Sequence, residues 1–332
     1  MDKMEENGKE MGSVTSRLVA QVHLPKMFQV RQLFAADRIV PEDIPKRIRS
    51  YLVQEEYALK IKPGMHVAIT AGSRQIANIV AITSTIADFV RERGAHPFIV
   101  AAMGSHGGAT MEGQRAILLG LGITEESVGC PIKCSMEVVK IGANEEGMDV
   151  FIGKDAALAD GIIISCRIKP HTCFRGPFES GIMKMITIGL GKQAGAQICH
   201  EAGFGQMAKY IPMFGRAILK RAPILFAVAV LENAYDETAK IVVVPADKIE
   251  ETEPPLLNEA KALMPKIQVP SCDVLVCDVI GKNFSGSGMD PNITGTFATP
   301  YASGGLKSQR VAVLDISRES HHSGCGMGMA HA

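Results

Sequence analysis

An excess of charge of either sign is missing from this sequence. Its 332 residues carry 35 basic and 35 acidic side chains, so no net field draws the chain to nucleic acid or to an anionic membrane surface. Any anion it binds must be held by local geometry. Paired cysteine motifs are missing as well: Cys130, Cys134, Cys166, Cys173, Cys199, Cys272, Cys277 and Cys325 contain no CxxC, and several lie in apolar, strand-like runs. Reduced, buried thiols look like this, which predicts a cytoplasmic protein without a disulfide framework. No apolar run approaches the roughly 18–20 residues of a spanning helix, and the start MDKMEENGKEMGS is too polar for a signal peptide. No glycine turn matches GxGxxG or Walker A, so NAD and ATP lose support.

What is there, 46% apolar residues and 33 glycines, fits an α/β enzyme body. The expected architecture is two domains with mixed or parallel sheets flanked by helices and an active site in the cleft between them. Residues 1–15 read as a polar tail, 16–267 as an α/β domain that binds the cofactor, and 268–332 as a second α/β domain that looks partial. An amphipathic helix is expected over 41–57. A strand at 64–70, a turn through Arg74 that opens a helix over 75–93, and a returning strand at 97–102 make a βαβ unit. The turn 103–110 then leads into a helix from Met111. Strands follow at 137–141, 149–153 and 160–166, a helix at 204–221, and strands at 224–231 and 240–244. A helix over 245–264 is expected to be delayed by Pro254-Pro255, and 264–270 reads as a linker before strands at 272–280 and 310–316. No helix closes that last unit. In open parallel sheets ligands collect at the carboxyl ends of the strands, which directs attention to the turns after them.

The stretch 166–200 concentrates reactive groups on a glycine-rich path. Lys184 stands among apolar and small residues, where lost hydration lowers a lysine's pKa and makes its amine an attachment point; a lysine reaching outward from a helix is the plainer reading. His200, between Cys199 and Glu201, is either a metal ligand or a structural histidine. His171 follows Lys169-Pro170 at the end of a buried strand, and His106 has a similar setting in Gly-Ser-His-Gly-Gly. Two such histidines can serve opposite faces of one carbon, as a racemase or epimerase requires. Arg74 suits a carboxylate or phosphate. Lys282 lies in a polar, glycine-rich loop that faces either substrate or water, and His321-His322 near the end suggests a metal site or a flexible terminus.

Taken together, Arg74 in a strand-to-helix turn, His106, the Lys-Pro-His171 triplet, Lys184 and His200 resemble the nickel-dependent lactate racemase family, over about residues 60 to 290. The resemblance implies a nickel-pincer nucleotide, a pyridinium mononucleotide with two sulfur-bearing arms. It would be joined to Lys184, with nickel bound by carbon, two sulfurs and His200, and with Ser105, Ser180 and Gly181 beside the cofactor. His106 and His171 would be the acid/base pair, with Arg74 on the substrate carboxylate and Lys282 as a further substrate contact. In that mechanism a histidine takes the hydroxyl proton while the α-hydrogen moves to the cofactor as hydride and returns to either face. The partners implied are a small hydroxy-acid substrate and the cofactor biosynthesis proteins, with no nucleic acid and no membrane. A longer 171–184 loop, the Gly-Lys282-Asn-Phe-Ser-Gly-Ser-Gly motif and the short second domain depart from the lactate enzyme, which favours another 2-hydroxy acid or a sugar acid. The alternatives are a cofactor carrier without turnover and a same-fold enzyme with a simple histidine-bound metal.

Overall fold

A computed structural model describes residues 14, 16–23, 26–320 and 323–332. The expected tail, apart from Val14, and His321-His322 lie outside the described residues. The chain forms two units, Met1–Leu33 and Phe34–Ala332. In the first, residues 16–19 are helical; the expected boundary near residue 267 falls inside the second.

The second unit is built on strands β1 (His66–Ala71), β2 (His96–Ala101), β3 (Ile132–Lys133), β6 (Gly161–Arg167), β7 (Ile224–Glu232) and β8 (Thr238–Pro245), with a hairpin of β4 (Val138–Ala143) and β5 (Asp149–Gly153) beside them. Their order is β3-β2-β1-β6-β7-β8. All neighbours pair in parallel except β7 and β8. Strands of a covered parallel sheet read as near-continuous apolar runs, as Gly161-Ile-Ile-Ile-Ser165 does. Successive side chains point to opposite faces, so the strands feed two cores. Ile162, Ile164 and Cys166 join one with Phe98 and Val100, and Ile163 joins the other with Ile69, Phe226 and Val228.

Helices α1 (Ile44–Leu52), α2 (Ile79–Glu92) and α3 (Met111–Gly120) cover the second core. Helices α4 (Ile182–Lys184), α5 (Lys192–Glu201), α6 (Met207–Leu219) and α7 (Ile249–Leu263) cover the first. The expected helix 41–57 breaks after Leu52, and a separate turn follows at Glu55–Ala58. Pro254 and Pro255 do not delay α7 but sit inside it. The carbonyls they leave unbonded belong to Glu250 and Glu251, both exposed, so water can replace the lost helix bonds. Arg74 does not open a helix either: α2 starts at Ile79, after a turn ending in left-handed Asn78.

Beyond 264–270, β9 (Ser271–Ile280) and β10 (Lys307–Ile316) form a separate two-stranded parallel sheet. Its small core is Ile280, Met289, Val311 and Met329. The segment between them holds one four-residue helix, Pro291–Thr294. Among the described residues no helix is long and apolar enough to cross a membrane.

Candidate active site

Connections leave β1 towards β2 and β6 towards β7, so the order of the sheet reverses between β1 and β6. Outside the carboxyl ends of such a pair the loops diverge and leave a crevice. The turn after β1 carries Ser73 and Arg74, the extension of β6 carries Lys169 and His171, and the turn after β2 carries His106. The hydroxyl of Ser73 is hydrogen-bonded to Nδ1 of His106. Glu232, at the end of β7, pairs with Arg167 and accepts from the amide of Ala77 at 2.7 Å. The β1 turn is thereby anchored to the strands beside it.

His171 is held by its backbone. Its amide donates at 2.7 Å to Glu179, a fully buried carboxylate that also accepts from Lys261 at 2.7 Å. Lys169 and Ser180 bridge across the base of the loop. The amide of Cys173 donates to Nδ1 of His171 at 3.0 Å. An amide N–H can only donate, so the neutral imidazole carries its proton on Nε2. The ring stacks on Phe174 at 4.4 Å, and Phe204 stands 6.2 Å from both His171 and His200.

Residues 282–303 reach this site from the C-terminal part. Arg175 donates to the His171 carbonyl at 2.6 Å, to Asn292 at 2.5 Å and to the Ser303 carbonyl at 2.9 Å, with its guanidinium 5.2 Å from the Phe297 ring. Thr299 donates to the Cys173 carbonyl. A Cβ at Gly286 would stand 2.6 Å from the Arg74 guanidinium, so glycine is what lets that loop pass over it.

The electrostatics follow from crowding cations into a partly dry space. Burial, then Lys169 and Arg74, pulls Lys184 down to about 8. Burial, followed by Arg74, Lys184, His200 and Lys282, lowers His106 to about 4. His171 falls to about 2 through burial, then Lys184, Lys169, His200 and Arg175. His200, exposed at the end of α5, is also lowered, by burial and by Lys184. Arg74, His106, His171, Lys184, His200 and Lys282 therefore share one electrostatic environment, and at neutral pH its imidazoles are uncharged. A cluster of cations in a chain of no net charge suits an anionic ligand.

Of the other sequence candidates, Ser105 is exposed beside His106, and Ser180 is bound through its backbone to Lys169. Gly181 is buried and faces away from any open space: a Cβ there would come within 2.2 Å of Glu253. Glu253 lies in α7 and accepts from the amide of Met183 at 2.8 Å. Burial raises its carboxyl to about 7, against the pull of the Met183 and Ile182 amides. It thus caps the turn that carries Lys184. That turn runs into a π-helix, Met185–Gly189, a wide form often found at functional sites. Sequence reasoning missed Ser73, Arg167, Arg175, Glu179 and Glu253. Lys169 was legible beside Pro170-His171; a lone glutamate before two prolines carries no signal of a partner seventy residues away.

The donor set bears on which metal chemistry fits. Among the described residues no group of three His, Cys, Asp or Glu side chains comes together. His200 is a single protein donor, so a metal there needs its other ligands from a bound group, as a pincer nucleotide would provide. The lowered Lys184 amine and the surrounding cations likewise fit attachment and binding of an anionic nucleotide.

The model of the lactate racemase N-terminal domain matches residues 28–210. The chain belongs to that family. Its fold is similar to the lactate racemase apoprotein of Thermoanaerobacterium thermosaccharolyticum, at 18% identity and TM-score 0.55, with 75% of this chain and 62% of that one covered. It is also similar to a Thermotoga maritima protein, at 14% identity and TM-score 0.53, with 76% and 66% covered. The family member thus spans about 62% of the length of the lactate racemase structure. No curated protein matches it.

Proposed function

We propose that this member of the lactate racemase family is an isomerase that racemises or epimerises a 2-hydroxy acid or sugar acid at the carbon bearing the hydroxyl. The observation that carries the reading is the convergence of Lys184, His200 and two uncharged histidines among cations at the point where the strand order reverses. Lys184 and His200 are the residues that would hold a nickel-pincer nucleotide, the first as tether and the second as metal donor. When bound, that group supplies an acceptor for the α-hydrogen, which no side chain offers.

The protein's own work is binding and proton handling. Arg74 and Lys282 attract the substrate carboxylate. His106, hydrogen-bonded to the Ser73 hydroxyl through Nδ1, has Nε2 left to take the hydroxyl proton. His171, fixed as the Nε2–H tautomer, can donate to the same oxygen. The surrounding cations make either imidazolium a strong acid, so the proton returns readily. Anionic ligands raise both histidines back towards ordinary values, which brings their acid and base forms closer in energy at working pH.

The test uses protein co-produced with the cofactor biosynthesis proteins. An intact-mass adduct that disappears in Lys184→Ala, nickel in proportion to it, and interconversion of the enantiomers of a 2-deuterated hydroxy acid with the label retained are expected. Active protein with unmodified Lys184 would sink the tether; loss of the deuterium to water would mean that a side chain abstracts the hydrogen. Adduct and nickel without turnover on a panel of hydroxy acids would favour the second reading, a cofactor carrier.

A further inference from the structure

Helix α5 carries His200 in its last turn and begins at Lys192, and Lys192 is not placed as an ordinary helix-starting lysine. Its φ is +53°, in the region that disfavours a residue with a Cβ. It is 4% exposed, and its stem fills a slot against Gly153, where a Cβ would stand 3.0 Å from Lys192 Cε. Its Nζ donates to the carbonyl of Ala101, the last residue of β2, at 2.5 Å and to Oε1 of Gln114 at 3.1 Å. Gln114, on α3, is fully buried; its Nε2 donates to the carbonyl of Gly104 at 2.9 Å and to that of His106 at 3.3 Å. A continuous polar chain therefore runs from the first residue of the His200 helix to the turn that holds His106.

A strained backbone and a desolvated amine are both costly, and a methionine could fill the same volume without the buried amine. They occur together where these two elements meet. We infer that Lys192 and Gln114 are positioning residues, which set the His106 turn relative to the helix bearing His200. The inference rests on the reading that His106 acts on a substrate bound beside the group that His200 would help to hold. Lys192 acts through Gln114 on the Gly104 and His106 carbonyls.

The test has a readout that needs no cofactor. Apoprotein is treated with diethyl pyrocarbonate and carbethoxylation is followed by peptide mapping at His106, with His66, at the amino end of β1, as the control. In Lys192→Met and in Gln114→Leu, His106 is expected to react about 5-fold faster, the loss of roughly one buried hydrogen bond's hold, while His66 is unchanged. In loaded enzyme kcat should fall about 10- to 100-fold with KM near wild type, as expected for a misplaced group. The double variant should be no worse than the worse single one, since the two residues form one chain. Should Lys192→Met fail to fold, Gln114→Glu decides. It keeps an acceptor for Lys192 but has no donor for the two carbonyls, and should speed His106 alone. Folded variants with wild-type His106 reactivity, or single effects that add in the double variant, would overturn the inference. If wild-type loaded protein racemises nothing, the functional reading fails while the reactivity measurement still stands.

Discussion

The two sheets of this protein differ in almost every respect. In the main sheet β6 is buried along six consecutive residues, Gly161 to Cys166, and both faces are covered. In the C-terminal pair most of β9 is exposed or half-exposed, with Val274, Val276 and Val279 all open to solvent. Yet both contribute to the site. The main sheet does so through its strand ends, the small one through the loop 282–303, by way of Lys282, Gly286, Asn292 and Thr299. The rigid layer fixes the histidines, and the lightly built one braces and covers them. The difference predicts that substitutions in the main sheet cost stability, whereas those in the loop cost function with the fold intact.

The largest effect should fall on His106 and His171, the pair proposed to handle protons. His106→Ala and His171→Ala are each expected to lower kcat about 10²- to 10⁴-fold, the usual worth of a positioned acid or base, with adduct and melting temperature retained. Steady-state kinetics on loaded protein checks this, and activity that survived in the double variant would remove them from the mechanism. Next comes the core. Phe226, fully buried and in edge-to-face contact with Tyr57 at 5.5 Å, should lose about 3–5 kcal/mol on truncation to alanine in denaturant unfolding.

The brace should sit between those extremes and behave differently. Arg175→Met removes charge-assisted bonds to the His171 carbonyl, Asn292 and Ser303, which are part-buried or exposed. Raised KM and lowered kcat, with the main-sheet melting transition little moved, would support the division between scaffold and brace. Equal loss of stability and activity would dissolve it.

Titration gives a smaller, signed effect. His106 and His171 titrate near 4 and 2 in the folded protein but near 6.5 when unfolded. Between those values the unfolded chain binds protons that the native one refuses, so their contribution is full above about pH 6.5 and is lost as pH falls. Glu253, raised to about 7, acts in the opposite sense: its native form holds a proton that the unfolded chain releases above its usual value, so its contribution weakens as pH rises towards 7. The clean measurement is therefore the difference between wild type and a His106→Ala/His171→Ala variant, whose apoprotein stability should decline less steeply from pH 6.5 to 4.

Much of this was legible in the sequence, for identifiable reasons. Period and glycine punctuation locate β1, β2, β6 and the turns after them, because a covered parallel strand is an unbroken apolar run. Lys184 stood out because its neighbours are apolar, and the structure does hold it in a partly dry, cationic setting. The misses are long-range. Nothing local says that Glu253 caps the Lys184 turn, that Glu179 accepts from His171, or that Arg175 spans to Ser303. Pro254-Pro255 misled because the penalty for an interior proline depends on whether water reaches the freed carbonyls, which only the fold decides.

The smallest predicted effect is the sharpest probe of the comparison. Val276 in the middle of β9 is 52% exposed, pairs with Ala312 on β10, and contributes little to the small core of Ile280, Met289, Val311 and Met329. Its replacement by threonine keeps a β-branched side chain suited to a strand and uncovers no cavity. Unfolding free energy should therefore change by no more than about 0.5 kcal/mol, the range of ordinary surface substitutions. The same exchange at Val228, fully buried in β7, puts a hydroxyl without a partner into the core and should cost about 1–3 kcal/mol. A large cost at Val276 would mean that something covers β9 in solution, and the contrast between a buried scaffold and an open brace would then hold only for this chain on its own.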